Sequence, residues 1–94
     1  MQLTSERAEI IALQVLGWLA SDDDLLGVFM GASGLAEGDL RARAQDPHFL
    51  GSVLDFVLMD DAWVVAACDT VGLRYEQLAM VRAALPGGEQ VHWT

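Results

Sequence analysis

Apolar residues recur along this chain at the spacing of amphipathic helices. Ala8, Ile11, Ala12, Val15, Leu16, Trp18 and Leu19 share one broad face of a first helix that Thr4 or Ser5 is placed to cap. Ile10, Leu13 and Gly17 fall on the opposite side, so this helix is apolar over most of its circumference. Such a helix is either central to a fold or part of an interface between chains. Ser21-Asp22-Asp23-Asp24 breaks the pattern, and Asp22 is a good cap for a short second helix carrying Leu25, Leu26, Phe29 and Met30. Gly31 and Gly34 are placed to end it. A third helix follows, with Ala36 as its N-cap and Leu35 stapled to Leu40.

The series then starts again. Asp46-Pro47 combines an aspartate cap with proline at the first helical position. It opens a fourth helix with Leu50, Val53, Leu54, Val57 and Leu58 on one face. Asp60 caps a fifth helix that is apolar nearly all round, which predicts burial, and Gly72 ends it. Leu73 and Leu78 repeat the staple spacing before a sixth helix, which Pro86-Gly87-Gly88 stops near Leu85. The valine-rich run near residues 63–71 is ambiguous between helix and strand, but its neighbours favour helix.

The recurrence has a period. Shifted by 38 residues, Val15-Leu16 falls on Val53-Leu54, Asp22-Asp23 on Asp60-Asp61, Gly34-Leu35 on Gly72-Leu73, and Leu40 on Leu78. Over residues 12–44 set against 50–82 these are seven of 33 aligned pairs, matched without a gap, and the apolar positions mostly stay apolar. A period in this range marks a repeated supersecondary unit. The expected fold is all-α: one compact bundle of about six helices, built as two tandem three-helix units at about 5–45 and 46–86, with a tail at 87–94. Leu16, Leu35, Leu54, Trp63 and Leu73 are expected in its core.

A chain of 94 residues that is 53% hydrophobic suits one globular domain held without disulfides or metal. The lone Cys68 cannot pair within the chain and lies in an apolar run, which points to a buried structural thiol. Net charge is −9, there is no lysine, and only Arg41 and Arg43 among the five arginines sit close together. That is too few cations for a phosphate track or an anionic lipid surface, so neither nucleic acid nor membrane is an expected partner. With no apolar run near the roughly 20 residues that span a bilayer, and no basic segment leading into an apolar one at Met1–Arg7, the expected location is cytoplasmic.

Several local motifs resemble those of a known family. They are the paired Gly-Leu turns, the opening Asp46-Pro47-His48-Phe49-Leu50, the run Val53-Leu54-Asp55-Phe56-Val57-Leu58, and Leu85-Pro86-Gly87-Gly88 followed by the late Trp93. Together they are similar to a family of short, uncharacterised alphaproteobacterial proteins catalogued as a domain of unknown function. The resemblance covers nearly the whole chain. It implies a bacterial cytoplasmic setting and carries over no activity, cofactor or catalytic residue.

The candidate chemistry is thin. Asp22, Asp23, Asp24, Asp60 and Asp61 offer carboxylates to a hard cation, but they stand at predicted helix starts, where aspartate caps amides and favours the dipole. His48 and His92 have no His or Cys partner three or four residues away, so no metal clamp is expected. Ser5, Ser21, Ser33 and Ser52 lie in no nucleophile elbow, and Gly31-Ala32-Ser33-Gly34 has neither the lysine nor the preceding strand of a phosphate loop. Trp18 and Trp63 suit a core, with a ligand pocket as the other option. The expectation is therefore no enzyme, no cofactor, and no catalytic or metal-ligating residues. The surplus apolar side chains Ile10 and Leu13, with Gly17 and Trp93, mark a candidate interaction surface for a protein partner, a second copy of the chain included. The alternative is a small-molecule or metal-binding protein with a cavity or acidic cluster between the two helical units.

Overall fold

Each helix begins where a side chain or turn supplies an acceptor that the first amides lack. The computed structural model describes residues 3–87. The Thr4 hydroxyl accepts the Arg7 N–H at 3.1 Å and opens α1 (Ser5–Ala20). Asp22 accepts from Leu25 N–H at 3.1 Å and opens α2 (Asp23–Ser33). Ala36 stands at the N-cap of α3 (Glu37–Arg43) with no side-chain acceptor of its own; the Asp39 carboxylate instead reaches back to the Ala36 N–H at 3.3 Å. Asp46 accepts from His48 N–H at 3.0 Å, with Pro47 as the first residue of α4 (Pro47–Val57). Asp60 accepts from Ala62 and Trp63 at 2.8 and 3.3 Å and opens α5 (Asp61–Val71). The last helix is α6 (Gln77–Ala83). The expected all-α bundle is the observed one: the described residues form six helices and no strand, and 63–71 is helical.

Glycine ends α2 and α5 for a conformational reason. Gly34 and Gly72 take φ of 74° and 76°, the left-handed region, and their amides close on Met30 and Cys68 carbonyls. Gly31, also expected as a stop, lies inside α2. The bounds of α2 and α5 are offset by 38 residues at both ends, Asp23 to Asp61 and Ser33 to Val71. Elsewhere the offset loosens. From the start of α3 at Glu37 it points to Tyr75, but α6 begins at Gln77, after a turn in which Arg74 N–H donates to Gln77 Oε1 at 3.0 Å.

The core is centred on α1 and α4, whose buried faces carry Ala8, Ile11, Ala12, Val15, Leu16 and Leu19 on one side and Phe49, Leu50, Val53, Leu54, Phe56 and Val57 on the other. The first helix packs on α2, α4, α5 and α6, so it is the central strut. Leu25 and Phe29 of α2, Leu78 and Val81 of α6, and Leu85 close the core. Three aromatic contacts tie α2, α4 and α5: Phe29 meets Phe49 and Phe56 edge-on at 6.0 and 5.1 Å, and Phe56 stacks on Trp63 at 4.8 Å.

Two burial expectations need correcting. The fifth helix is not sunk in the core: only Ala67 and Cys68 are buried, while Val65, Ala62 and Ala66 face solvent. Three other helices, α2, α4 and α6, already pack on α1, and α5 adds one face to that layer. Small alanines and capping aspartates let its other face remain wet. Leu16 and Leu54 are core as expected, whereas Leu35, Leu73 and Trp63 are half-buried and pack against the core from its edge. Among the described residues, no helix is long and apolar enough to cross a membrane.

Candidate interaction surface

The solvent side of α1 carries the first candidate site. The inner stripe Ala8, Ile11, Ala12, Val15 and Leu19 is fully or nearly fully buried, which fixes the rotation of the helix. Successive residues advance by about 100° at 3.6 per turn, so Glu6, Ile10, Leu13 and Gly17 point away from the core. Ile10 and Leu13 are 47% and 44% exposed, at positions where an ordinary surface helix carries charge. Beside them a shallow concavity of about 360 Å³ opens between α1 and α3. Leu13, Leu16, Gly17 and Ala20 of α1 line one side of it, and Leu40, Arg41 and Ala44 line the other. A Cβ added to Gly17 would meet no atom within 4 Å, so this glycine leaves a notch open to the outside. The expected residues Ile10, Leu13 and Gly17 therefore share one exposed face. Trp93, the fourth of them, lies outside the described residues.

A second concavity, of about 350 Å³, lies between α1, α2 and α5. Trp18, Trp63, Leu25, Val28 and Ala66 line it, with Asp22 and Asp24 contributing carboxylates. Asp22 has one oxygen committed to the helix cap. Each acidic run thus supplies one helix cap, Asp22 and Asp60, and among the described residues no three His, Cys, Asp or Glu side chains form a group that could hold a metal ion.

The hydroxyls of Ser21, Ser33 and Ser52 donate to the carbonyls of Trp18, Met30 and Phe49, three residues back along the chain. Burial pushes the Cys68 thiol pKa up, and the neighbouring Asp69 charge adds to it. The Tyr75 hydroxyl donates to Asp69 at 2.9 Å, and that bond, then the carboxylate's charge, holds the phenol pKa above its usual value. Glu76 is held below the usual carboxylate range by its own backbone amide and by Arg74, 2.8 Å away.

One polar cluster had escaped the sequence reasoning. Arg82 of α6 reaches across to α4, where its Nε and Nη2 fork onto the two oxygens of Asp55 at 2.7 and 3.1 Å. Its Nη1 donates to the Pro86 carbonyl at 3.1 Å, tying down the turn after α6. The guanidinium lies over Gly51, where an added Cβ would come within 2.7 Å of Nη1. The available signal was a glycine inside an otherwise strongly apolar helix, one turn before a lone aspartate.

A family model described as "Protein of unknown function (DUF3572)" matches residues 5–88. The chain belongs to that family. The match spans all six helices and the Arg82 clamp, so the DUF3572 domain and the fold described above are the same unit. No curated protein and no solved structure matches the chain.

Proposed function

We propose that this protein is a non-catalytic, cytoplasmic protein-interaction module whose docking surface is the outer face of α1 with the adjoining α3 edge. The observation that carries the reading is the pair Ile10 and Leu13, exposed on the side of α1 that faces away from the core. Apolar side chains grouped beside a groove are a mark of interaction sites. A non-catalytic role accords with hydroxyls committed to helix carbonyls and a thiol whose pKa is raised, the opposite of an activated nucleophile. The test is a photo-crosslinking residue placed at position 13 of the full chain in its native cell. A discrete crosslinked protein product, abolished by Ile10→Glu while the melting temperature holds, is expected. Absence of any crosslinked product refutes the reading.

A second reading, small-molecule binding between the two helical units, draws on the concavity that Trp18 and Trp63 line. Both indoles are only half-buried, so their fluorescence should respond to an occupant. Ligand-induced quenching that Val28→Glu abolishes would favour this reading over the first.

A further inference from the structure

We infer that the occupant of the α1 face is a second copy of this chain, docked as an antiparallel α1–α1 pair about a twofold axis beside Leu13. This rests on the interaction reading above and names its partner. The exposed face of α1 is self-complementary. A twofold interface brings residue i onto j and j onto i with one patch. Ile10 and Gly17 are seven residues apart on one exposed row, about 10.5 Å along the helix. A twofold axis midway between them lays each copy's Ile10 against the other's Gly17. Ile10 is a projecting, 47% exposed side chain, and Gly17 is a notch with nothing within 4 Å of an added Cβ. The concavity beside Gly17, bounded by Leu16, Ala20, Leu40 and Ala44, is where the incoming isoleucine enters. Leu13, in the middle of the row, packs at the axis.

Charge supports the antiparallel sense. Glu6 lies at the N-terminal end of the row, and Arg41 borders the groove beside Gly17 and Ala20 at the other end. An antiparallel pair brings each Glu6 to the end of the other copy's row where Arg41 and the Asp22–Asp24 run both stand, whereas a parallel pair sets Glu6 on Glu6 and the two acidic runs side by side. Two chains of net charge −9 repel at long range, so the pair is concentration-dependent rather than permanent.

Sedimentation equilibrium of the full chain at physiological ionic strength, over a range of micromolar concentrations, tests this. The weight-average mass is expected to climb from 10.2 kDa toward twice that value. Gly17→Leu starts from a Cβ that meets no atom of the monomer within 4 Å and fills the notch, so it should weaken self-association at least about tenfold, roughly the effect of 1.4 kcal/mol, with no fall in melting temperature. Glu6→Arg and Arg41→Glu should each weaken the dimer, and the double substitution should restore it. A chain that stays at monomer mass throughout, or a dimer indifferent to Gly17→Leu, overturns the inference. The crosslinker at position 13 separates the two levels. A product at twice the chain mass supports the self-pair. A product with a different protein overturns the self-pair and leaves the interaction reading standing. No product refutes both.

Discussion

Replacing Gly51 by alanine sets two known effects against each other on one helix. Alanine in a helix interior is favoured over glycine by about 1 kcal/mol. Here the new methyl would sit 2.7 Å from Nη1 and 3.0 Å from Cζ of Arg82, which is too close. A free arginine would swing aside at little cost, but this one is held at three points, by both Asp55 oxygens and by the Pro86 carbonyl. The Asp55 side chain is 56% exposed, so the ion pair itself contributes only about 0.2–1 kcal/mol. The bond to the Pro86 carbonyl adds about 0.5–1.5 kcal/mol. Displacing the guanidinium therefore costs about 1–2 kcal/mol, which cancels or exceeds the propensity gain. Gly51→Ala should be neutral to about 1 kcal/mol destabilising in the native chain. In an Arg82→Ala background the clash is gone, and the same change should stabilise by about 1 kcal/mol. Urea unfolding followed by far-ultraviolet circular dichroism measures all four chains of the cycle, and the coupling should be about 1–2 kcal/mol. An equal gain of about 1 kcal/mol in both backgrounds would refute the argument that Arg82 is pinned over Gly51.

Tyr75 is the chain's one tyrosine, so its ultraviolet titration is unambiguous. Its pKa should lie above the usual tyrosine value and fall back in Asp69→Ala, and an unchanged titration in that variant would exclude the Asp69 contact as the cause. The sign follows from a folded pKa raised above the unfolded one: the contribution is complete below the ordinary tyrosine pKa and disappears as pH rises through the folded value. Asp22→Ala and Asp60→Ala should each lower stability by about 0.5–2 kcal/mol in denaturant melts, and two unaffected midpoints would contradict the capping geometry.

The helix starts were legible because capping is local chemistry. Asp22, Asp46 and Asp60 each accept from amides two or three residues on, and nothing distant is needed to place them. Gly34 and Gly72 were legible for the same reason, since only a left-handed turn demands glycine there. Burial was less so. Trp63 looked like core by type, yet whether a residue is enclosed depends on how many layers lie outside its helix, which periodicity does not encode. The Arg82 clamp spans 27 residues in sequence and stayed hidden because a lone aspartate and a lone arginine carry no mark of each other. The exposed row on α1 was visible as an excess: once one face of a helix fills a core, apolar residues on the other face remain to be explained. The structure adds the neighbouring edge of α3, which turns that row into one side of a groove.

That α1 carries this row while packing on four other helices bears on how the face behaves before anything docks. Backbone held on its inner side by α2, α4, α5 and α6 cannot open without opening much of the domain. The amides of Ile10 and Leu13 should therefore exchange hydrogen with solvent at rates set by global unfolding, even though their side chains are in water. A surface mounted this way arrives already ordered, so a partner pays little backbone entropy to engage it. By the same linkage, whatever binds there stabilises the whole fold and not one edge of it.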